Sequence, residues 1–385
     1  MSSERNRIGG WRSGRPSPGL GGPPGPPGSA GAGAPGERRG GLQGAFPAGI
    51  GASGGIAVLV LATLLLVVAA VFALSKNPGR TLWFFFLGPF GNLYAFGNML
   101  NYAVPLIFGG LGVSVAMRAN SFNLGGEGQI YAGAFAATLA ALALRPLGFA
   151  GALAGLAAAA AVAGFAAAFS GFCRARWNTS ELITSFLVSN ILILVVDYLV
   201  SGPFADPASN LLSTRKLDES FRLPLILPPS NLSAALFAAL AACLLTGIFL
   251  FRTRIGYEIR MTGSNELFAR YGGINTKRIT ILAMFLSGAL YGLGGGLAVY
   301  GTYYGTVKGF SSGMGWNGLA VALIARFSPG LVIPAAVFFA WIGAGARIAM
   351  QNSDITSEIA LVAQGAVLFL VTSQALLGLF KRRAS

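Results

Sequence analysis

The chain has 385 residues, of which 54% are hydrophobic and only 10% charged, and its mean hydropathy is +0.67. Soluble domains carry about 25% charged residues, so this sequence has too little polar surface to cover a water-soluble globule of its size. It contains no histidine, which excludes a histidine-based catalytic triad, and its net charge of +15 comes from cations at the chain ends and between apolar runs, a membrane-topology pattern rather than a nucleic-acid-binding one.

The first 47 residues differ sharply in composition from the rest of the chain. Residues 1–47 are rich in Gly, Pro, Ser and Arg and hold nothing that could form a core, which predicts a disordered cytoplasmic tail. The first apolar run begins far from the N-terminus and lacks a small-residue cleavage site, so we do not interpret it as a signal peptide. We expect a transmembrane domain over residues 48–380 and a basic cytoplasmic C-terminus over residues 381–385.

The sequence contains ten apolar runs, each close to the length of about 20 residues that a helix needs to cross the hydrocarbon core of a bilayer. The runs are continuous rather than alternating, and an open sheet cannot end in lipid, so we expect an all-α membrane protein of about ten transmembrane helices. The predicted spans are residues 54–75, 98–117, 128–144, 148–171, 182–201, 230–251, 279–304, 314–327, 331–350 and 358–378, of which the third and eighth are short. The aromatic stretch 81–96 is broken by Gly88, Pro89 and Gly91, which predicts an interfacial or re-entrant element.

The lysines and arginines predict the orientation of these spans. With ten spans, both termini, the 172–178 loop and the 252–278 connection fall on one side, and their cations assign that side to the cytoplasm. The 202–229 loop then lies outside and has mixed charge. Lys76, Arg80 and Arg145 fall on the outer side and count against this scheme.

The stretch "RANSFNLGGEGQIYAG", residues 118–133, places polar side chains between two apolar runs. An ionised carboxylate facing lipid costs at least about 2–3 kcal/mol, so Glu127 should face protein, water or a partner such as Arg118. The glycines allow the chain to turn where the backbone lines a cavity or is buried in protein. Asn123, Glu127 and Gln129 therefore either contact a polar solute or form a helix-to-helix clamp that holds the turn.

Two further regions offer residues for a solute pathway. Asn317 can donate to and accept from a solute, and Trp316 and Phe310 could stack on a base or a sugar face. Asn190 and Asp197 lie seven residues apart on the fifth span and so share a helix face. These two could line the pathway or form hydrogen bonds between helices.

The 252–278 connection contains a short predicted helix outside the membrane. Ser264 or Asn265 can cap its N-terminus, Glu266 lies in the first turn, and glycines at 272 and 273 end it. We predict a docking element for a partner protein, with an ordinary surface-loop helix as the alternative. The predicted coupling residues are Gly263, Ser264, Asn265, Glu266, Phe268, Ala269, Arg270, Tyr271 and Gly272.

Two glycine-rich turns, one in each half of the chain, resemble each other in pattern. "GGLGVSVAMRANSFNLGGEGQ" and residues 294–323 each pass from an apolar helix through glycines into another helix, on opposite sides in the ten-span scheme, which predicts inverted repeats. "GLGGGLAVYG", residues 292–301, loosely matches a nucleotide fingerprint, but no strand precedes it, so helix packing explains its glycines better. A phosphate-binding loop motif is absent, and we expect no ATP hydrolysis and no bound cofactor on this chain.

Three motifs resemble those of ABC-transporter permeases. "IGYEIRMTGSNELFARYGGINTKR" resembles the cytoplasmic coupling loop of that family, in which a G-x-N-x-x-A-A/R-x-x-G-I pattern seats in the ATPase subunit. "FNLGGEGQ" resembles the "FNIGAEGQ" signature of nucleoside and simple-sugar permeases of the branched-chain amino acid and ribose superfamily. "GMGWNGLAVALIARFSP" resembles a third segment of that family, and Arg326 falls beside the glycine usual in that segment.

The resemblance covers roughly residues 54–380 and implies a permease subunit of an ATP-driven importer for a nucleoside or a simple sugar. It implies separate ABC ATPase subunits that bind the ATP, a second permease subunit, identical or related, and an extracytoplasmic solute-binding protein or lipoprotein. The implied location is the bacterial inner membrane, with both termini in the cytoplasm. The alternative is an ion-coupled secondary transporter, for which Glu127, Asp197, Arg326 and Arg347 are the candidate relay residues. A membrane-embedded enzyme is disfavoured because carboxylates are not clustered.

Overall fold

The computed structural model describes residues 61, 64–66, 68–69, 71–73, 75–354 and 365. Within these residues the chain is helical, and its only β-structure consists of isolated bridges. The helices are α1 (Pro78–Phe86), α2 (Leu93–Arg118), α3 (Gly126–Ala143), α4 (Gly148–Trp177), α5 (Glu181–Ser201), α6 (Ala235–Arg252), α7 (Arg254–Ser264), α8 (Glu266–Tyr271), α9 (Thr276–Ala298), α10 (Met314–Ile324) and α11 (Pro329–Asn352). The all-α prediction is confirmed for the described part of the chain.

Six described helices are long and apolar enough to cross a membrane, where the sequence predicts ten spans. They are α2, α4, α5, α6, α9 and α11, which match the second, fourth, fifth, sixth, seventh and ninth predicted spans. The third and eighth predictions are also helices, but α3 begins with the polar residues Glu127 and Gln129, and α10 has only 11 residues. The first and tenth predictions, 54–75 and 358–378, fall largely outside the described residues, as do the predicted tail and basic C-terminus.

The aromatic stretch 81–96 breaks at the predicted glycines. Helix α1 ends at Phe86, a single 3-10 turn covers Gly88–Phe90, and α2 begins at Leu93 with the Asn92 side chain accepting from the Ala95 N–H. The break is local, because Pro89 and its neighbouring glycines cannot continue a helix favourably. The Trp341 Nε1–H donates to the Phe86 carbonyl at 3.1 Å and joins α1 to α11.

Helix α9 packs closely against α3 and α4 through small residues. A Cβ atom added at Gly295 would lie 2.1 Å from the Ile130 carbonyl oxygen, and one added at Gly292 would lie 2.2 Å from the Ala159 carbonyl oxygen. No larger side chain fits at either position without moving a backbone. The interpretation of the 292–301 glycines as packing residues is therefore confirmed.

The described helices have two distinct ends, named here the α8 end and the opposite end. At the α8 end, Arg174 Nη1 donates to the Asn120 carbonyl at 2.7 Å, and Arg118 Nε donates to the Phe327 carbonyl at 3.2 Å. At the opposite end, the Leu217 N–H donates to the Tyr304 carbonyl at 2.7 Å. The 172–178 turn and the 252–278 connection thus lie at the same end of the molecule, as their cations predict.

Candidate functional site

Two partly buried non-helical segments lead into helices that begin side by side in the interior. Residues 119–125 join α2 to α3, and residues 304–313 lead from the π-helical turn Val299–Tyr303 into α10. A Cβ atom added at Gly315 would lie only 2.2 Å from the backbone nitrogen of Glu127. The first turns of α3 and α10 therefore approach backbone to backbone.

The two helices leave this meeting point in opposite directions. Along residues 304–313, Thr306 Oγ1 lies 2.8 Å from Thr138 Oγ1, and the Gly309 N–H donates to the Tyr131 hydroxyl at 3.1 Å. This segment therefore follows α3 back toward its start. Helix α10 then continues toward Phe327, whose carbonyl accepts from Arg118 at the α8 end.

The Glu127 carboxylate caps the start of α10. Its Oε1 accepts from the Gly313 N–H and its Oε2 from the Gly315 N–H, both at 2.8 Å. The first N–H groups of a helix have no partner within the helix, and the positive end of the helix dipole favours an anion there. Of the predicted surroundings for Glu127, the structure provides a protein partner, and that partner is backbone rather than Arg118.

Asn123 and Gln129 form a reciprocal pair of side-chain amides. Asn123 Nδ2 donates to Gln129 Oε1 at 2.8 Å, and Gln129 Nε2 donates to Asn123 Oδ1 at 3.0 Å. Asn123 Nδ2 also donates to Ser287 Oγ of α9 at 3.0 Å. Both side chains are fully buried. Their geometry is that of the clamp alternative, because protein atoms already occupy the amide donors and acceptors.

Two serines of α5 hold the start of α3. Ser185 Oγ accepts from the Leu124 N–H at 3.0 Å, and Ser189 Oγ accepts from the Gly128 N–H at 2.8 Å. Neither serine is among the site residues predicted from the sequence. Their spacing of four residues on an apolar helix was the available signal, since it places both hydroxyls on one face.

Asp197 and Phe310 meet through Tyr131, another residue that the sequence analysis missed. The Tyr131 hydroxyl donates to Asp197 Oδ1 at 2.7 Å, and the Tyr131 and Phe310 rings are 5.7 Å apart. Asp197 thus forms a hydrogen bond between α5 and α3. Asn190 is exposed, and its Nδ2 donates to the Phe186 carbonyl of its own helix at 2.8 Å. The two residues predicted to share a face therefore have separate partners.

Trp316 and Asn317 face different surroundings although they are adjacent. The Trp316 ring is 41% exposed and packs edge-to-face at 6.2 Å from Phe186. Asn317 Nδ2 instead donates to the Tyr102 hydroxyl at 3.1 Å. The Arg347 guanidinium lies 4.5 Å from the centre of the Tyr102 ring. Asn317, Tyr102 and Arg347 thus form a polar cluster that was not predicted from the sequence.

The second predicted site is the short helix α8, which was predicted to dock a partner protein. Asn265 is its N-cap and accepts from the Phe268 N–H at 3.0 Å, and Gly273 follows its end with a φ of +81°. The exposed fractions are 65% for Leu267, 61% for Phe268 and 91% for Tyr271. Three large apolar side chains on one short helix thus face away from the rest of the chain.

The remaining predicted coupling residues fix the position of α8. Ala269 is buried, whereas Ser264 and Gly272 are exposed, and Glu266 forms an ion pair with Arg270. Arg270 Nε also donates to Thr276 Oγ1 at 3.0 Å, which joins α8 to the start of α9. Gly263 of α7 packs against the end of α2, because a Cβ atom there would lie 2.0 Å from the Arg118 carbonyl oxygen.

Comparisons with known proteins agree on one family. Residues 95–372 match the family described as "Branched-chain amino acid transport system / permease component". A probable riboflavin import permease protein of Treponema pallidum is 35% identical over 321 residues, which cover 82% of this chain and 84% of the relative. A glucose ABC transporter permease protein of Haloferax volcanii is 31% identical over 334 residues, which cover 82% and 86%. A nucleoside ABC transporter permease protein of Lactococcus lactis is 31% identical over 306 residues, which cover 74% and 81%. No solved structure matches the chain.

Proposed function

This chain belongs to the family of branched-chain amino acid transport permease components of ABC transporters, and we propose that it forms the translocation path of an ATP-driven importer. The observation that carries this proposal is the exposed apolar face of α8. Leu267, Phe268 and Tyr271 are held in the open by a capped helix, although burying such a side chain is worth about 1.5–3 kcal/mol. Such a surface suits a partner, and we propose that the partner is a separate ABC ATPase subunit.

The connection between α8 and the interior supports a mechanical role. Helix α8 follows α7 after the single residue Asn265, and Gly263 of α7 packs against the Arg118 carbonyl at the end of α2. Arg118 immediately precedes the non-helical segment 119–125 that leads into α3. A displacement of α8 by the ATPase would therefore reach the interior through backbone contacts rather than flexible side chains.

We propose that the solute is a nucleoside or a related compound, with a simple sugar as the second choice. The relatives named for riboflavin, glucose and nucleosides support this range. The proposed pathway residues are Asn123, Glu127, Gln129, Asn190, Asp197, Phe310, Trp316 and Asn317, and we propose that the first three shape the path by holding the two helix starts rather than by touching the solute. Among them, Trp316 and Asn190 are the most exposed, and Asn317 is joined through the Tyr102 hydroxyl to the cluster around Arg347.

The proposed assembly has further parts that the family implies. A second permease subunit, identical or related, would complete the path, and an extracytoplasmic binding protein or lipoprotein would deliver the solute. We propose that the α8 end and both termini face the cytoplasm of a bacterium, with the chain in the inner membrane. We also propose ten spans and inverted repeats, which the opposite directions of α3 and α10 support.

The test uses the whole transporter with changes on the exposed face of α8. Phe268→Asp combined with Tyr271→Asp should abolish co-purification of the ATPase subunit and ATP-dependent uptake, since two charges would replace the apolar docking face. Both side chains point outward, so the yield of the permease itself should stay unchanged. The control is Tyr257→Asp on α7, which is 50% exposed but lies outside α8.

Two results would contradict the proposal. One is unchanged uptake and ATPase association in the double variant. The other is solute transport by the purified permease in vesicles with an ion gradient and no ATPase subunit, which would favour the ion-coupled alternative.

A further inference from the structure

A large cavity opens between the first helices of the described chain, α1 and α2, and its last helix, α11. It has a volume of about 730 Å³ and lies between α1, the turn that follows it, the start of α2 and the last turns of α11. A second cavity of about 130 Å³ continues between α2, α9 and α10. Asn98 and Arg347 line both cavities, so these two residues stand where the two spaces adjoin. The larger volume lies in the range of about 300–1,000 Å³ that is typical of small-molecule sites.

Arg347 is the one charged side chain among the described residues that line the two cavities. It lies within the apolar helix α11, where a cation is costly and usually marks a functional position. In the part of the chain that the structure describes, no carboxylate pairs with its guanidinium, which stacks on the Tyr102 ring at 4.5 Å. A guanidinium in contact with a ring face can still donate its N–H groups to a bound molecule.

The remaining walls divide into an aromatic part and an amide part. Trp83, Phe84, Phe90 and Tyr94 line the larger cavity. Asn98 and Asn101 line the smaller one, where Asn101 Nδ2 donates to Thr302 Oγ1 at 3.0 Å. No Asp or Glu is among the described residues that line either cavity. The described lining therefore offers flat apolar surface and hydrogen-bond donors, without carboxylates that would accept from many hydroxyls.

Two contacts hold the walls of the larger cavity together. Trp341 Nε1 donates to the Phe86 carbonyl, and Asp354 Oδ1 accepts from Ser75 Oγ at 2.8 Å. Asp354 also accepts from the Lys76 N–H, and these hydrogen bonds hold the pKa of its carboxyl below the usual range. The segment before α1 is thereby attached to the end of α11, and the space between them has a defined width.

From this geometry we infer that the cavity binds a planar heteroaromatic solute whose carbonyl oxygens accept from Arg347, such as a purine with a ring carbonyl or a flavin. The ring would lie against the aromatic wall, and a polyol or ribose would reach Asn98 and Asn101. This inference rests on the proposed function and narrows its solute class. A simple sugar fits less well, because it has no flat carbonyl-bearing ring to place beside the guanidinium.

The first experiment measures binding to the purified full chain without its ATPase. Riboflavin, guanosine and glucose are titrated while tryptophan fluorescence is recorded, since Trp83 lines the cavity. Riboflavin or guanosine should quench the fluorescence, and glucose should not at equal concentration. Arg347→Met should weaken binding of the quenching solute at least tenfold, and Arg347→Lys should weaken it less, because it keeps the charge but loses the planar set of donors.

A matched control comes from a second arginine that stacks on a tyrosine. The Arg222 guanidinium lies 4.9 Å from the Tyr304 ring, yet Arg222 lines neither cavity. Arg222→Met should leave the affinity unchanged. Unchanged affinity in both Arg347 variants, or stronger binding of glucose than of the two ring compounds, would overturn the inference.

The second experiment separates this inference from the proposed function. Uptake of the same three probes is measured in cells that contain the complete transporter. An Arg347→Lys variant that assembles should show a raised KM for the ring compound with little change in maximal rate. Binding without ATP-dependent uptake would contradict the proposed function but not the cavity assignment. Uptake of a ring compound with an unchanged KM in this variant would contradict the cavity assignment alone.

Discussion

The starts of α3 and α10 both need hydrogen-bond acceptors for their first N–H groups, and they obtain them from different side chains. Each helix begins in the interior, where its first N–H groups lack partners within the helix. At the start of α3, these groups and the preceding turn bond to neutral side chains, namely Ser185, Ser189 and Asn123. At the start of α10, a single carboxylate from Glu127 accepts two N–H groups.

This difference predicts how each helix start responds to mutation. A hydrogen bond between neutral groups contributes about 0.5–1.5 kcal/mol, and one to a charged group about 1.5–3 kcal/mol. The start of α3 therefore has several modest supports and should tolerate the loss of one. The start of α10 depends on Glu127 and should not tolerate its loss.

The largest effect is expected where the two helix starts touch. Gly315→Ala would place a Cβ atom 2.2 Å from the Glu127 nitrogen, and neither backbone can move without breaking its own helix. We expect a loss of stability of about 3 kcal/mol or more, seen as a lower thermal unfolding midpoint of the purified protein. Gly330→Ala is the control, because nothing lies within 4 Å of its added Cβ. An unchanged midpoint for Gly315→Ala would show that the close approach is absent.

Removing the carboxylate should have the next largest effect. Glu127→Ala leaves the Gly313 and Gly315 N–H groups without their acceptor, at a cost of about 2–3 kcal/mol. Glu127→Gln keeps one acceptor oxygen and should lose about half as much. Thermal unfolding measures both variants against Glu258→Ala, which removes a half-buried carboxylate that pairs with the exposed Arg254 on the same helix. Equal stability of Glu127→Ala and the control would contradict the capping role.

A smaller effect is expected at the neutral helix start. Ser189→Ala removes one hydroxyl acceptor from the Gly128 N–H and should lower stability by about 1 kcal/mol. Adding Ser185→Ala should roughly double that loss to about 2 kcal/mol, which exceeds the loss expected for Glu127→Gln and reaches the lower end of that for Glu127→Ala. The same unfolding measurement applies, with Ser180→Ala as the control because the Ser180 side chain makes no capping hydrogen bond. A single serine loss as large as that of Glu127→Ala would remove the distinction between the two starts.

The smallest loss of stability is expected on the exposed face of α5. Asn190→Ala removes a hydrogen bond to the carbonyl of its own helix, so stability should change by less than about 0.5 kcal/mol. Any effect should appear in solute uptake instead, because Asn190 is exposed. A large loss of stability would place Asn190 in an interhelical role that its contacts do not predict.

The sequence allowed prediction of features that depend on neighbours along the chain. The cap at Asn265, the glycine end of α8 and the break near Pro89 are local, because each follows from turn chemistry within a few residues. The positions of the six long helices follow from apolar runs of membrane-crossing length.

The partners of the polar residues could not be predicted in the same way. Glu127 and Gly313 are 186 positions apart, and no local pattern indicates that an acidic residue on one helix caps another. Tyr131 and Asp197 are 66 positions apart, and although Asp197 stands out as a carboxylate in an apolar run, nothing near it in the sequence points to Tyr131 as its partner. The cavity around Arg347 is built by the first and last described helices, so only the folded chain brings its walls together.

The carboxylate that joins α3 to α10 restricts how a solute could pass. These two helices cannot part during a transport cycle unless both hydrogen bonds of Glu127 break at once, so they should travel as a rigid unit. Helix α6 is a better candidate for a hinge, because its chain continues directly into α7 and α8. Alternating access would then come from rocking at α6, with the joined pair as the stationary wall.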